Sequence, residues 1–374
     1  MVLSMKYTNA LNIKEEKNTM TMLNTKPKNL VMAMMLAGTF SVFASTATAA
    51  PVNFNGNDVG GCTSPSITGG VSDMKYVCSG APSTKADNVT IADGFKVEMT
   101  NTDQTLLAAA AILGVGSDLQ GHLDAASTVA LGVKATMTGN IVAGTTAALG
   151  AEAQLEGNMT AGTTAALGAD AWMKGKLSAV TTVALGANAK VLNSVSSSGN
   201  VDAGTTAALG ADAVIEGYLN AGTTVALGAK AVVRKHLLAG TTVALGVEAK
   251  VLGTVESLSS TVVLGVNAAI KGTTIAGGAA TLGAGAYTCA NLTASVATLG
   301  AGSFVRGNMG VTTATLGAEG AVTEKITATT VTLGAAACYG ELDATTITRG
   351  AGSGVCSVLV EKAADSKCAD LANL

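Results

Sequence analysis

Residues 143–189 contain nearly the same segment three times in succession. They read AGTTAALGAEAQLEGNMT, then AGTTAALGADAWMKGKLS, then AVTTVALGANA, so that a Leu-Gly pair recurs every 18 residues. A fixed period near twenty residues is typical of stacked supersecondary units, each of which buries its apolar side only against its neighbours. The sequence therefore predicts a solenoid instead of a conventional globular domain.

The Leu-Gly pair continues beyond this stretch and sets the extent of the repeat region. Successive pairs are 17 to 19 residues apart except for one gap of 24, and an Arg349-Gly350 pair follows 16 residues after the last of them. The long gap contains LNSVSSSGN at 192–200, which predicts a loop that leaves the phase of the stack intact. The Leu residues of these pairs are Leu113, Leu131, Leu149, Leu167, Leu185, Leu209, Leu227, Leu245, Leu264, Leu282, Leu299, Leu316 and Leu333.

Within each coil, small or apolar residues alternate with polar ones. The coil that starts at Leu167 reads LGADAWMKGKLSAVTTVA and holds all of its charges at even positions. A period of two indicates β-strands, and the regular Gly and the β-branched TTV runs disfavour helices. We predict an all-β fold: a single-stranded triangular β-helix (β-solenoid) of about 13 coils, with 17–19 residues per coil and terminal caps.

The TVALGAKAVVRKHLLAG pattern of 224–240 resembles hexapeptide-type and bactofilin-like β-solenoid repeats. The resemblance covers 113–354, about two thirds of the chain, and it implies the architecture. The period leaves the handedness open, because left- and right-handed triangular solenoids both use coils of this length.

The first 49 residues predict a secretory signal peptide. Lys26 and Lys28 form a basic region, 30–42 is an apolar run too short to span a bilayer, and Ala47-Thr48-Ala49 is a small-x-small cleavage pattern. We therefore expect an exported protein, either secreted, periplasmic or at the cell surface. In it, 50–111 is an N-terminal cap, 112–356 the solenoid and 357–374 a C-terminal cap.

The six cysteines all follow the expected cleavage site and lie toward the two ends of the solenoid. In an oxidising compartment this distribution predicts disulfides that staple the terminal coils. We expect a Cys62–Cys78 bridge, and a bond from Cys368 to either Cys356 or Cys338. Capped and stapled ends also argue mildly against end-to-end growth. The disulfide candidates are Cys62, Cys78, Cys289, Cys338, Cys356 and Cys368. No CxxC and no Cys/His cluster is present, so no metal site is expected.

Two columns of one outward face consist of Thr, Ala and a few Val residues, without a single charge. The column three residues before each Leu is Thr in eleven of thirteen coils. The column two residues later is mostly Ala in the early coils and Thr in the late ones. The Thr residues that precede the first column, such as Thr145, Thr163 and Thr181, are assigned to the interior, although a corner at that place would expose them. The predicted surface-binding residues are Thr128, Thr146, Thr164, Thr182, Thr206, Thr224, Thr242, Thr261, Thr281, Thr298, Thr313, Thr315, Thr330, Thr332, Thr346 and Thr348.

Two interpretations of these columns compete. Thr favours strands and stacks well between neighbouring strands, so the columns could serve structure alone. The uncharged Thr-x-Ala and Thr-x-Thr strip also resembles the Thr-x-Thr faces of β-solenoid antifreeze and ice-binding proteins. That resemblance implies binding to ice, ordered water or another repetitive surface. The Ala at the second place of most coils departs from the pattern. A structural or adhesive cell-surface protein that self-associates is the alternative function.

Composition and the remaining polar residues argue against other classes of function. After removal of 1–49 the chain has 17 Lys+Arg against 23 Asp+Glu, which makes nucleic acid a poor partner. No second long apolar run follows the leader, so we expect no membrane insertion. Hexapeptide acyltransferases use a catalytic His, but His122 and His236, the only histidines, lie six coils apart. We expect no enzyme activity and no cofactor.

Overall fold

The computed structural model describes residues 51–57, 59–63, 74–80, 82–101, 103–195 and 198–372. Within these residues the chain is all-β except for one C-terminal helix, which confirms the predicted fold class. The predicted signal peptide and Ala50 lie outside the described residues, and the proposed domain boundaries stay predictions.

The strands are short and follow one another at regular intervals. They are β1 (Val52–Phe54), β2 (Cys62–Thr63), β3 (Lys75–Cys78), β4 (Asn88–Ile91), β5 (Lys96–Met99), β6 (Thr105–Ala108), β7 (Ala110–Leu113), β8 (Asp118–Gln120), β9 (His122–Ala125), β10 (Val129–Leu131), β11 (Thr136–Thr138), β12 (Ile141–Ala143), β13 (Thr146–Leu149), β14 (Gln154–Glu156), β15 (Met159–Ala161), β16 (Thr164–Leu167), β17 (Trp172–Lys174), β18 (Leu177–Ala179), β19 (Thr182–Leu185), β20 (Lys190–Leu192), β21 (Val201–Ala203), β22 (Thr206–Leu209), β23 (Val214–Ile215), β24 (Leu219–Ala221), β25 (Thr224–Leu227), β26 (Val232–Val233), β27 (Leu237–Ala239), β28 (Thr242–Leu245), β29 (Lys250–Val251), β30 (Val255–Ser257), β31 (Thr261–Leu264), β32 (Ala269–Ile270), β33 (Thr274–Ala276), β34 (Ala279–Leu282), β35 (Tyr287–Thr288), β36 (Leu292–Thr293), β37 (Val296–Leu299), β38 (Phe304–Val305), β39 (Met309–Gly310), β40 (Thr313–Leu316), β41 (Ala321–Leu333), β42 (Cys338–Arg349) and β43 (Gly354–Val355). The helix, α1, spans Val358–Ala372.

Every third strand belongs to the same wall of the solenoid. The first face contains β1, β4, β7 and every third strand up to β40; the second face contains β3, β5, β8 and every third strand up to β38, then β43; the third face contains β6, β9 and every third strand up to β39. The long strands β41 and β42 each pass through all three faces. Each strand pairs in parallel with its equivalent one coil later, except that β2 pairs antiparallel with β3.

The solenoid has about 15 turns, two more than expected from the Leu-Gly ladder. The difference arises in the segment before Leu113, where β1, β4 and β5 already stack in the coil register without a Leu-Gly pair to mark them. Stacking depends on inward apolar residues such as Val89 and Ile91, which are fully buried. Such coils cannot be recognised from the Leu-Gly pair alone.

Small inward side chains explain why three walls can approach so closely. Along the first face the inward residues are Ala or Val followed by Leu, as in Ala165 and Leu167, which are 0% and 3% exposed. The second and third faces place Met173 and Leu177 in the same coil, both fully buried. Burial of apolar surface at about 25 cal/mol per Å² is the main term that stabilises the coils, and each coil completes the core of the next.

Each coil turns from the first to the second face through a corner with a left-handed residue at its fourth position, counted from Leu. Asp170, for example, has φ 57°. All fifteen such positions in the described chain are left-handed, with Gly, Asn, Asp, Glu, Lys or Ala at them: Gly94, Gly116, Lys134, Glu152, Asp170, Asn188, Asp212, Lys230, Glu248, Asn267, Gly285, Gly302, Glu319, Ala336 and Gly352. Asn, Asp and Gly tolerate this conformation best, so the polar column reflects backbone geometry as well as solvation.

Part of the N-terminal end of the solenoid is covered. Strands β2 and β3 form a small hairpin joined by the expected Cys62–Cys78 disulfide. Phe54 and Tyr76 are fully buried with their rings edge to face at 5.0 Å, and the Tyr76 hydroxyl donates a 2.8 Å hydrogen bond to the carbonyl of Asn57. The inward residue Phe54 of the first coil is therefore buried, whereas Val52, two places before it, is partly exposed.

Helix α1 lies along the outside of the second face. Its Ala364 and Cys368 pack on Phe304 and Ala321, which point outward from successive coils, and Tyr287 stacks on Phe304 at 4.8 Å. An ion pair between Arg306 and Asp365 also joins the helix to this face. The helix is thus held against the side of the last coils.

The disulfides at this end correct one expectation. Cys368 bonds to Cys289, not to Cys356 or Cys338, and these two bond to each other. The reason is the direction of α1, which runs back along the second face and carries Cys368 past the last coils to the coil of Cys289. All six cysteines are paired.

Candidate functional site

The outward residues of the first face, which we call the Thr face, form two columns in unbroken register. From β13 to β31 each outward Thr lies beside the Thr of the next coil. In the last coils the aligned sets are Thr313, Thr330 and Thr346, and Thr315, Thr332 and Thr348. None of the sixteen predicted surface-binding Thr residues is buried. The structure therefore brings the predicted residues together on one surface.

The neighbouring Thr column, assigned to the interior from the sequence, instead occupies the corner between the third and first faces. Thr145, Thr163 and Thr205 are exposed, and Thr181 is partly so. From Thr163 to Thr241 the hydroxyls of this column donate to the carbonyl of the equivalent residue one coil earlier, as from Thr163 to Thr145 at 2.8 Å. The same bond recurs from Thr181, Thr205, Thr223 and Thr241 at 2.6 to 2.9 Å. The assignment was wrong because the chain already turns at this residue, which the alternation pattern does not reveal.

The outward Thr hydroxyls behave differently from the corner hydroxyls. In the described part of the chain, none of the sixteen predicted surface-binding Thr side chains forms a hydrogen bond with another protein group. They do not form the Thr–Thr hydrogen bonds that a purely structural ladder would use. Their donors and acceptors are therefore left for solvent, or for whatever binds there.

Charge is excluded from the Thr face. Among the described residues, no Asp, Glu, Lys or Arg points outward from the first face between β4 and β42. The uncharged strip is wider than the sequence predicted. The corner Thr column borders it on one side, and Ala or Val at the third position of each coil from Val115 to Ala351, such as Ala169 and Ala229, borders it on the other.

Ion pairs lie instead on the second and third faces. Lys174 contacts Glu156 at 2.6 Å on the second face, and Lys176 contacts Asp202 at 2.7 Å beside the third. The hydrogen bond to Asp202 raises the pKa of Lys176 above its ordinary value of 10.5. These walls have the mixed, paired charges of an ordinary solvated surface.

The imidazole rings of the two histidines accept hydrogen bonds from backbone N–H groups of the next coil. Nδ1 of His122 accepts a 2.8 Å hydrogen bond from the N–H of Asn140, one coil later. Nδ1 of His236 likewise accepts from the N–H of Thr254 at 3.1 Å. Asn140 and Asn158 continue this ladder at the same corner with their side-chain oxygens. The side chains at this corner position thus accept hydrogen bonds from main-chain N–H groups. The spacing of the residues in the sequence did not indicate this role.

No other cluster in the described residues offers an obvious chemical site. No group of three or more His, Cys, Asp or Glu residues there could hold a metal ion. A shallow depression at the N-terminal end is lined by residues without titratable side chains, namely Pro51, Val52, Asn53, Asn57, Val59, Gly60 and Pro82.

Neither a protein-family model, nor a curated protein, nor a solved structure matches this chain. No helix in the described part of the chain is long and apolar enough to cross a membrane. The three disulfides suggest an oxidising, extracellular environment. Together with the solenoid fold they are compatible with an extracellular structural protein.

Proposed function

We propose that this is an exported, non-enzymatic protein that binds ice through the Thr face. The observation that carries the proposal is the contrast between two adjacent Thr columns. The hydroxyls of Thr163, Thr181, Thr205, Thr223 and Thr241 are hydrogen-bonded to the backbone, whereas the outward hydroxyls have no protein partner. Hydrogen bonding to the backbone accounts for the first column, while the second has only the strand preference of Thr as a structural reason.

The physical basis is a match between two regular lattices. The outward columns repeat at the spacing of neighbouring strands, about 4.8 Å, and present methyl groups and hydroxyls in alternation with small Ala side chains. Methyl groups supply apolar contact, while the unpaired hydroxyls hydrogen-bond to ordered water. Because the Thr residues are fixed on a continuous sheet, little conformational freedom is lost on binding.

The absence of charge from this face supports the same proposal. A Lys or Asp side chain would project above the Thr methyl groups and hold its own hydration shell, which would separate the face from a solid surface. The other two faces carry such residues in ion pairs, so their exclusion from the first face is specific. A non-enzymatic role is supported by the use of His122 and His236 as backbone acceptors.

The experiment is thermal hysteresis and ice recrystallisation inhibition by the mature protein, residues 50–374. Changing Thr206, Thr224 and Thr242 to Lys should abolish both activities. The matched control changes Ser178, Asn220 and Leu238 to Lys, since these side chains point outward from the third face of nearby coils. The control should keep both activities. A mature protein without activity, or one that the Thr changes leave unaffected, would contradict the proposal.

A structural or adhesive role at the cell surface or in a matrix is the second candidate. The specific observation in its favour is the C-terminal end of the solenoid, where the last coil exposes inward residues such as Ile347. An open strand edge is a template for association. Filaments of the mature protein in electron micrographs, together with absence of thermal hysteresis, would favour this role over ice binding.

A further inference from the structure

The last coil of the solenoid lacks a neighbour on one side. Strand β42 pairs with β41 along most of its length, but on its other side it pairs only with β43, at Cys338 and Tyr339. The consequence is visible in the inward residues. Ile347 is 40% exposed, while its equivalent one coil earlier, Val331, is fully buried. The edge from Glu341 to Arg349 is therefore open among the described residues.

Apolar side chains surround this open edge. Val355 of β43 lies in the inward column of the second face yet is 71% exposed, and Val358 and Leu359 in the first turn of α1 are 63% and 78% exposed. Helix α1 does not cover them because it runs back along the second face. At the other end, the described strands β2 and β3 and buried Tyr76 cover part of the first coil.

The three faces end at different levels along the solenoid axis, and these levels determine how a second copy can fit. The chain reaches its last third-face segment at 341–344, its last first-face segment at 346–349 and its last second-face segment at Gly354–Val355. Each segment stands one third of a coil above the one before it. The segment of intermediate level is the one on the first face. A two-fold axis through it brings the second face of one copy, which extends furthest, against the third face of the other copy, which ends earliest.

We propose that the open ends of two copies join in this way, as a tail-to-tail dimer with its two-fold axis at Ile347. Strands β42 of the two copies would pair antiparallel on the first face. Inward residues must oppose inward residues across the pair, so Ile347 lies opposite Ile347 of the second copy. In the same register Thr346 lies opposite Thr348, and both point outward. Exposed Val355 then meets Leu342 and Ala344 of the second copy.

The charges at the edge are complementary in this arrangement. Arg349 takes the place of Leu in the inward column and lies 5.4 Å above the ring of Tyr339. An inward charge can protect an edge from association, but Arg349 stands at the margin of the first face and leaves Ile347 uncovered. In the dimer register Arg349 lies opposite Thr345 of the second copy. Asp343 of that copy is two residues further along the strand, so the long Arg349 side chain can reach it diagonally.

This dimer would extend the Thr face, a consequence that rests on the proposed function. Because Thr346 and Thr348 exchange places across the axis, both outward columns continue from one copy into the other. The two copies together would present one lattice of twice the length. Because the two-fold axis pairs like ends, each copy uses its open end in the contact, so the proposal predicts a dimer and not a filament.

Sedimentation velocity of the mature, disulfide-bonded protein over a range of micromolar concentrations tests the dimer without reference to ice. The native protein should show a concentration-dependent monomer–dimer equilibrium. Ile347→Asp should shift it to monomer, and Arg349→Glu should weaken the dimer by bringing like charges near Asp343. The matched control is Ile275→Asp, a third-face residue of similar exposure (38%), which should dimerise like the native chain. Circular dichroism verifies that each variant is folded.

A single added cysteine tests the axis itself. Since all native cysteines are paired, Ile347→Cys adds one free thiol, and the two-fold axis brings it opposite its own copy at the distance of a cross-strand pair. Mild oxidation should yield a covalent dimer on a non-reducing gel, faster than for Ile275→Cys. Monomer at every concentration, species larger than dimer, or equal cross-linking of both variants would overturn the proposal. None of these outcomes depends on whether the Thr face binds ice.

Discussion

In each corner from the first to the second face, two residues obey different steric rules. In the corner from Gly334 to Ala337, a Cβ on Gly334 would lie 2.7 Å from the carbonyl carbon of Gly317 in the preceding coil. Ala336, two residues later, has φ 53° and carries the strain of an L-residue in the left-handed region. The recurrent Gly of the Leu-Gly pair is thus required by the close approach of the neighbouring coil. The left-handed turn itself falls on the residue two places later.

The two rules predict opposite effects for reciprocal substitutions in this corner. Gly334→Ala should lower the free energy of unfolding by about 1–3 kcal/mol, because the added methyl group overlaps backbone that cannot move aside. Ala336→Gly should raise it by up to about 1 kcal/mol, because Gly adopts the left-handed conformation without strain. Urea denaturation followed by circular dichroism measures both. Equal effects of the same sign would show that the corner is not built in this way.

At the same scale, the sequence predicts the outward Thr columns but not the corner column. A strict alternation assigns Thr145 to the interior, since it precedes outward Thr146. The chain turns between these residues, and the hydroxyl of a later corner residue such as Thr163 donates to the backbone of the coil before it. Alternation holds only within a strand, so the side chain of a corner residue cannot be assigned from it.

At the scale of elements, helix α1 is joined to the solenoid by a disulfide and a small aromatic cluster. Tyr287 and Phe304 stack beneath it, and Lys367 lies 5.9 Å and 5.5 Å from the centres of these rings. Burial, with a smaller contribution from the nearby Asp370 carboxylate, raises the pKa of the Tyr287 phenol above its ordinary value of 10.0. The folded chain therefore prefers the neutral phenol.

The sign of this pKa shift predicts weaker docking of α1 in alkali. The neutral Tyr287 phenol contributes its full share to the stability of the docked helix below pH 10. That contribution is lost as the pH rises through the raised pKa of Tyr287. Replacing both Cys289 and Cys368 by Ser should loosen the helix and return this pKa toward 10.0. The phenolate absorbance of each protein, minus that of its Tyr287→Phe variant, measures the pKa directly. The same Tyr287 pKa with and without the disulfide would mean that the helix is held by packing alone.

The position of α1 also explains which part of this end could not be predicted. The sequence predicts a C-terminal cap at 357–374, and it predicts disulfides from the cysteines. Their pairing depends on which face the helix covers, and that is decided by Tyr287 and Phe304, which follow each other on the second face. Two aromatic residues in successive coils of an otherwise mixed outward column are the signal that could have indicated it.

At the scale of the whole molecule, the period of the sequence is sufficient to predict the solenoid, because each coil buries its core only against identical neighbours. It does not predict the number of coils, since the early ones lack the Leu-Gly pair, nor the open C-terminal edge. The Thr face is a property of this scale too. A single Thr-x-Ala strand is an ordinary surface strand, and only its repetition in register makes a lattice.

The most direct test of ice binding through the Thr face is the uptake of fluorescently labelled mature protein into a slowly growing hemisphere of polycrystalline ice. We expect the native protein to be incorporated into the ice, and the variant with Ser178, Asn220 and Leu238 changed to Lys to be incorporated equally well. The variant with Lys in place of Thr206, Thr224 and Thr242 should be excluded into the liquid. Exclusion of the native protein, or equal incorporation of all three, would contradict binding through the Thr face.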